Sequence, residues 1–267
     1  MKKTLRVGLI QMDMELASPD LNYTRAEEEV RAAAAEGAQV VCLPEAWNTG
    51  FFPKEELKKL ADKDGERTKA LMSRLAAELN VHIVAGSVAN LKGDKVHNTC
   101  YVFDRSGECV CEYDKIHLFT PMGEENFFAF GTHDATFELD GLKCGVVICY
   151  DIRFGELARS LALKGAEMLF VPAQWPDVRI EHWNVLNRAR AIENQMFVAC
   201  VNSCGKAGKT QYGGYSALIS PWGEVVAQAG ASEEVITADA DLSIIEDIRS
   251  SINVFRDRRP DLYFQGC

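Results

Sequence analysis

The 267-residue sequence has no apolar run near the ~20 residues that a membrane-spanning helix needs. It also lacks a basic excess: 29 Lys and Arg stand against 39 Asp and Glu, a formal net charge of −10. Nucleic acids and anionic membrane surfaces bind basic faces, so this balance speaks against both as partners. The one local basic cluster, Arg256–Arg259, is interrupted by Asp257. No CxxC pair occurs among nine cysteines, an odd number, and Cys42, Cys144, Cys149 and Cys200 sit in apolar stretches. That pattern predicts buried free thiols in a reducing compartment, not a disulfide framework. His82, His97, His133 and His182 have no metal-ligand spacing with one another or with the cysteines, so no metal is expected. Gly213-Gly214 lacks the surroundings of a phosphate loop. The N-terminus, MKKTLRVGLIQMD, is charged like a signal peptide, yet its short apolar stretch contains Arg6 and no small-residue cleavage site follows. A cytoplasmic location is expected. The last six residues, LYFQGC, resemble the remnant of a protease tag.

What is present suits a globular protein: 47% hydrophobic and 25% charged residues. A chain this long buries roughly 70–75% of its unfolded surface without a metal or disulfide staple. No linker or low-complexity tract divides it, which predicts one domain over residues 1–267. Strand and helix signals alternate nearly throughout. Leu5–Gln11 reads as a strand, and Tyr23, Ala26, Val30 and Ala33 recur at helical spacing until Gly37. Val40–Leu43 is a second strand. A helix near Arg67–Leu79 precedes strands at Val81–Ser87, Asn98–Phe103 and Glu108–Tyr113. The order then begins again. Strand Cys144–Ile148 leads to a helix marked by Phe154, Leu157, Ala158, Leu161 and Ala162 and ended by Gly165. Strand Met168–Val171, helix Glu181–Glu193 and strand Met196–Ser203 follow. Ser216–Ser220 and Glu224–Gln228 form a hairpin across Pro221-Trp222-Gly223, and Leu242–Arg249 is a closing helix.

This order contains an internal echo. Residues 36–47 (EGAQVVCLPEAW) overlay residues 164–175 (KGAEMLFVPAQW), with Gly, Ala, Pro and Trp coinciding. Each segment follows a helix. Two related βαβ-containing halves are therefore expected, each giving one sheet with helices on its outer face. The predicted architecture is α/β, a four-layer α-β-β-α sandwich.

Chemistry concentrates at strand exits, where ligands collect in α/β sheets. At residues 146–157 (VVICYDIRFGEL) an apolar strand ends at Cys149, a short polar turn follows and a helix begins. This is the logic of a nucleophile elbow without its flanking glycines. Read alone, Cys149 is equally a buried small apolar residue. Leu43-Pro44-Glu45 places a carboxylate just past a strand, and residues 113–118 (YDKIHL) place Lys115 at another exit. Each in isolation reads as a surface charge.

Together these segments resemble the carbon–nitrogen hydrolase (nitrilase) superfamily. LPE at 43–45, YDKIHLF at 113–119 and CYDIRFGEL at 149–157 carry the resemblance. It extends through PAQWP at 172–176, HWNVLNRARAIENQ at 182–195, SPWGEV at 220–225 and VFRDRRPDLY at 254–263. The superfamily's fold is the sandwich of duplicated halves reached above. The resemblance implies Cys149 as nucleophile, Glu45 as general base and Lys115 as the cation at the oxyanion. A second glutamate that positions the substrate amide falls on Glu124, with Glu125 beside it. The backbone N–H of Tyr150 would complete the oxyanion site.

These residue types suit amide hydrolysis on physical grounds. A resistant carbonyl is easier to hydrolyse in two steps through a thioester. A thiolate is the stronger nucleophile, and Lys115 with the helix near Gly155 is expected to lower the thiol pKa. Arg153 recognises a substrate carboxylate or pairs with a neighbouring acid. Gln174 and Trp175 line the pocket or, for Trp175, fill the core. His117 is read as structural. The CYDIRF and PAQWP segments look most like the ω-amidase branch, which implies cofactor-free cleavage of small linear amides such as 2-oxoglutaramate to acid and ammonia. Related alternatives are a deaminated-glutathione amidase and an N-carbamoyl amine or amino acid amidohydrolase. A catalytically silent binding or scaffold protein of the same fold is the non-enzyme alternative. The resemblance also implies a homodimer.

Overall fold

The computed structural model describes residues 4–263; residues 1–3 of the charged start and 264–267 of the tag-like end lie outside the described residues. In the first half, β1 (Thr4–Gln11) and β2 (Val40–Cys42) run parallel and are joined by α1 (Pro19–Ala35). Pro19 opens that helix where a missing N–H matters least. Helix α2 (Glu66–Leu79) leads to β3 (His82–Val84), parallel to β2. Three antiparallel strands follow: β4 (Val88–Lys92), β5 (Lys95–Phe103) and β6 (Cys109–Asp114).

The second half starts with β7 (Ala135–Leu139) and β8 (Leu142–Val146). Next come α3 (Gly155–Leu163), β9 (Met168–Ala173), α4 (Ile180–Asn194) and β10 (Phe197–Asn202). Strands β11 (Ala217–Ile219), β12 (Val225–Gln228) and β13 (Glu234–Asp241) and helix α5 (Ile244–Ser251) complete it. The first sheet runs β13-β1-β2-β3-β5-β4 to the short strand Asp62–Lys63, with β6 also on β5; the second runs β12-β11-β10-β9-β8-β7.

The echo between residues 36–47 and 164–175 is present in atomic detail. Val40 lies opposite Val7 and His82, and its counterpart Met168 lies opposite Cys144 and Phe197. Both preceding helices end alike: Gly37 and Gly165 take φ of 85° and 98°, conformations that glycine adopts freely. Ala38 N then donates to Ala33 O and Ala166 N to Leu161 O, each at 3.1 Å. Even the antiparallel flanking strands correspond, β13 on β1 and β7 on β8.

Period-two alternation builds the layers. Val7, Leu9, Val40 and Cys42 enter the core shared with the second sheet. Ile10, Val41 and Leu43 turn the other way, onto Tyr23, Ala26 and Val30 of α1 and Met72 and Leu75 of α2. Leu157, Ala158 and Leu161 of α3 and Trp183 and Ala191 of α4 pack on the second sheet. The result is the expected α-β-β-α sandwich.

Two features differ from the sequence reading. Val81–Ser87 is not one strand: β3 stops at Val84, and β4 begins at Val88. Strands β4, β7 and β13 were not foreseen. In β13 the sequence EVITADAD is polar at every second position near its end and half-buried along most of its length, as an edge strand allows.

The break at residues 85–87 positions the loop after β2. Ser87 Oγ accepts from Ala46 N at 2.9 Å, Ser87 N donates to Pro44 O at 3.0 Å and Trp47 N donates to Ser87 O at 3.1 Å. Gly86 permits this approach at φ 59°, because a Cβ there would lie 2.0 Å from Pro44 O. Gly86→Ala is therefore expected to destabilise the fold by about 2–4 kcal/mol. Thermal denaturation measures this; an unchanged melting temperature would refute the close-approach argument.

Candidate active site

Four strand exits converge on one point between the sheets. β2 delivers Glu45, β6 delivers Lys115, β8 delivers Cys149 and β9 delivers Gln174, all buried. Cys149 begins a five-residue 3-10 helix, Cys149–Arg153, and takes φ of 47°. A non-glycine residue there stores roughly 1–3 kcal/mol of strain, which the surrounding bonds must hold. The strain turns the side chain off the sheet, the geometry expected of an elbow.

The Lys115, Glu45 and Glu124 side chains are completely buried. Lys115 Nζ donates to Glu45 Oε1 at 2.7 Å and to both Glu124 oxygens at 2.9 Å. Asn98 Nδ2 donates to Glu45 Oε1 at 2.9 Å and reaches Glu124 Oε1 at 3.4 Å. Gln174 N donates to Glu45 Oε2 at 2.9 Å, and Gln174 Nε2 donates to Glu45 O at 2.8 Å. Phe119 N donates to Glu124 Oε2 at 2.5 Å. The Cys149 thiol donates to Gln174 O at 3.9 Å, and the Glu45 carboxylate is close enough to act on it electrostatically.

Of the adjacent pair, Glu124 is the buried residue and Glu125 the exposed one. Glu124 stands behind Lys115, with both oxygens engaged. Gln174 braces Glu45 while also lining the pocket. Trp175 both lines the pocket and packs on Trp183, with ring centroids 5.7 Å apart. Asn98 was missed in the sequence, although an amide at the head of the strand read over Asn98–Phe103 was its signal. His117 bonds to Asp151 and stacks on Phe154 with ring centroids 3.7 Å apart.

Burial opposes the Lys115 charge, but the Glu124 and Glu45 carboxylates outweigh it and hold the ammonium well above its ordinary pKa. Burial, aided by Glu45, pushes the Glu124 carboxyl up against the pull of Lys115. The sequence reading of a lowered thiol pKa is corrected here. Burial and then the Glu45 carboxylate push the Cys149 thiol well above its ordinary range, and Lys115 only partly offsets them. Helix α3 starts six residues beyond the sulfur, too far to reverse this. Cys149 thus rests as a neutral thiol beside a carboxylate that can take its proton.

The sulfur opens on a small pocket between the sheets. Phe51, Phe119, Tyr150, Trp175 and Tyr212 form aromatic walls, and Arg153 and Arg179 line it as well. The Arg153 guanidinium lies 4.7 Å from the Trp175 ring centroid, and Arg179 lies 5.3 Å from that of Phe119. Among the described residues neither forms an ion pair, and each lowers the cost of an anion entering. Arg179, like Phe51 and Tyr212, was not singled out in the sequence.

A raised thiol pKa has a direct spectroscopic consequence. The ultraviolet thiolate signal lost in Cys149→Ala should titrate only above pH 9.0, the ordinary thiol value. Burial disfavours the anion, so the neutral form persists as pH rises. A step in that difference signal below neutrality would overturn the assignment.

Known proteins resemble this chain along nearly its whole length. The carbon-nitrogen hydrolase family profile matches residues 6–250. A protein of Bacillus subtilis (strain 168) described as 2-oxoglutaramate amidase is 42% identical over 96% of this chain and 98% of its own length. The human protein described as omega-amidase NIT2 is 36% identical over 97% of each chain. A carbon-nitrogen hydrolase from Helicobacter pylori superposes with a TM-score of 0.90 at 25% identity, covering 98% of this chain and 97% of that one. A Saccharomyces cerevisiae member of branch 10 of the nitrilase superfamily gives 0.89 at 29% identity, covering 96% and 97%. With a profile spanning nearly the whole chain and relatives aligned end to end, the chain belongs to the carbon–nitrogen hydrolase family of the nitrilase superfamily, hydrolases of carbon–nitrogen bonds other than peptide bonds.

Proposed function

We propose that this hydrolase cleaves small linear ω-amides, 2-oxoglutaramate among them, to a carboxylate and ammonia through a thioester on Cys149. The observation that carries the reading is the meeting of the Cys149 thiol, the Glu45 carboxylate and the Lys115 ammonium at the foot of one small pocket. The names of the 2-oxoglutaramate amidase and omega-amidase relatives support the substrate.

In this scheme the Cys149 sulfur attacks the amide carbon as its proton passes to Glu45. The carbonyl oxygen becomes an oxyanion between Lys115 Nζ and the Tyr150 backbone N–H. An ammonium has three donors. One serves Glu45 and one the paired oxygens of Glu124, which leaves a third for the oxyanion. Collapse breaks the C–N bond, and Glu45 returns the proton to the departing ammonia. Water, deprotonated by Glu45, then attacks the thioester; the C–S bond breaks and the sulfur recovers its proton. Glu124 holds Lys115 and positions the amide end, while Gln174 and Trp175 shape the wall. Arg153 receives the carboxylate at the substrate's far end, its guanidinium steadied by Trp175.

Residues 1–267 act in this reading as one catalytic domain in the cytoplasm, working as a homodimer. Val185 and Ile192 of α4 and Trp222, Val225 and Val226 of the β11–β12 hairpin are exposed apolar side chains. Arg188 Nε donates to Gly223 O at 3.0 Å, which ties the helix and hairpin into one face. Such a face suits a second copy. Trp222→Glu is expected to shift the sedimentation mass from dimer to monomer, and an unchanged mass would remove this face as the interface.

Ammonia release across a panel of ω-amides, carbamoyl compounds, deaminated glutathione and nitriles tests the substrate. Wild type should favour 2-oxoglutaramate, and Cys149→Ala should lose at least ~10⁴-fold in kcat. Lys115→Met should lose at least ~10²–10³-fold, the effect of deleting an oxyanion donor. Added hydroxylamine should divert the thioester to a hydroxamate. A preference for carbamoyl compounds would replace the substrate, and full activity in Cys149→Ala would end the mechanism.

A further inference from the structure

Asp151 is buried, carries no role in the scheme above and sits two residues beyond the strained nucleophile. Its carboxylate accepts four hydrogen bonds. Oδ2 takes Ile148 N at 2.9 Å and the Tyr113 hydroxyl at 2.7 Å. Oδ1 takes His117 N at 2.9 Å and His117 Nδ1 at 2.8 Å. Ile148 precedes Cys149, so the first bond closes the turn across the residue held at φ 47°. Tyr113 and His117 flank Lys115 on either side in the chain. One carboxylate therefore grips both sides of the Lys115 segment and the base of the Cys149 elbow, which come from different sheets.

We propose that Asp151 is a positioning residue, a brace that sets the Cys149 sulfur against Lys115. The proposal rests on the amide-hydrolysis reading with Cys149 as nucleophile. A carboxylate has about four acceptor sites, and here the four donors match them. Two of those donors, Ile148 N–H and His117 N–H, are backbone groups that can only donate. Each faces a different oxygen. An asparagine has a single acceptor oxygen, so it can satisfy one of these backbone groups and must turn its NH₂ toward the other. The Tyr113 hydroxyl and the His117 ring can reverse or change tautomer; the backbone cannot. Asp151→Asn is nearly isosteric, yet it must release either the elbow or the Lys115 segment. The pocket walls that hold the substrate tail, Trp175 and Tyr212 among them, make no hydrogen bond to Asp151.

The test compares Asp151→Asn with wild type per folded molecule, with circular dichroism giving the folded fraction. The expected result is a loss of about 10²-fold in kcat, the scale of an ångström-sized misplacement, with KM changed by less than about threefold. Alkylation of Cys149 by iodoacetamide, which needs no physiological substrate, should slow by roughly tenfold for the same reason. A purely structural residue would lower the melting temperature and leave both rates per folded molecule unchanged, which would overturn the proposal. Should Asp151→Asn not fold, Tyr113→Phe and His117→Phe remove only the adaptable donors. Each should lower kcat and the alkylation rate a few-fold with KM steady, and wild-type rates in the double variant would overturn the brace. An inactive wild type on 2-oxoglutaramate would strike at the amidase reading alone, because the alkylation rates would still judge Asp151.

Discussion

The site depends on burying one ammonium between two carboxylates. Lys115, Glu45 and Glu124 have no exposed side-chain surface. Isolated charges in such a place are strongly disfavoured, and removing one partner of a buried pair costs about 3–5 kcal/mol. The cluster persists because its remaining valences are filled by Asn98, the Gln174 N–H and the Phe119 N–H. The same bonds that make burial tolerable fix the geometry of the groups proposed to react. Stability and preorganisation are here one set of contacts, so substitutions of these residues should be read through both turnover and melting.

The duplicated architecture explains how residues a hundred positions apart reach this cluster. The two echoing loops meet face to face. Glu45 N donates to Ala173 O at 3.4 Å, while Gln174 N donates to Glu45 Oε2 at 2.9 Å. Equivalent strand exits thus clamp each other across the junction of the sheets. The halves have diverged in what they contribute there. One exit supplies a carboxylate; its counterpart supplies a backbone donor to that carboxylate and a side-chain amide that holds the same residue's backbone carbonyl. Lys115 and Cys149 then arrive from the neighbouring exits of β6 and β8.

Much of this was legible in the sequence because burial leaves periodic traces. The apolar run Val40–Leu43 and the helical spacing of Tyr23, Ala26, Val30 and Ala33 mark buried elements, and the structure buries the strand on both of its sides. The repeat was visible because the helix-ending glycines and the Pro-Trp spacing recur. Edge strand β13 escaped notice since an edge needs no continuous apolar face. Asn98 and Asp151 escaped for a different reason. Their importance lies in which donors they meet, and partners such as Asn98 and Glu45 lie 53 positions apart in the chain. The thiol's ionisation was misjudged similarly: sequence order shows that a lysine is near, but not that a carboxylate and full burial outweigh it.

That raised thiol pKa fits the proposed chemistry. At rest the cluster holds one ammonium and two carboxylates, with sulfur neutral, a net charge of −1 by simple count from Lys115, Glu45 and Glu124. When sulfur attacks and Glu45 takes its proton, Glu45 becomes neutral and the carbonyl oxygen becomes the anion. The total is unchanged. Charge moves from one acceptor of Lys115 to another while the ammonium stays in place, so the surrounding dipoles need little reorganisation. A preformed thiolate would add a second uncompensated negative charge at a buried site. The arrangement instead makes nucleophile and oxyanion appear only together, with Lys115 as the fixed centre around which the negative charge shifts.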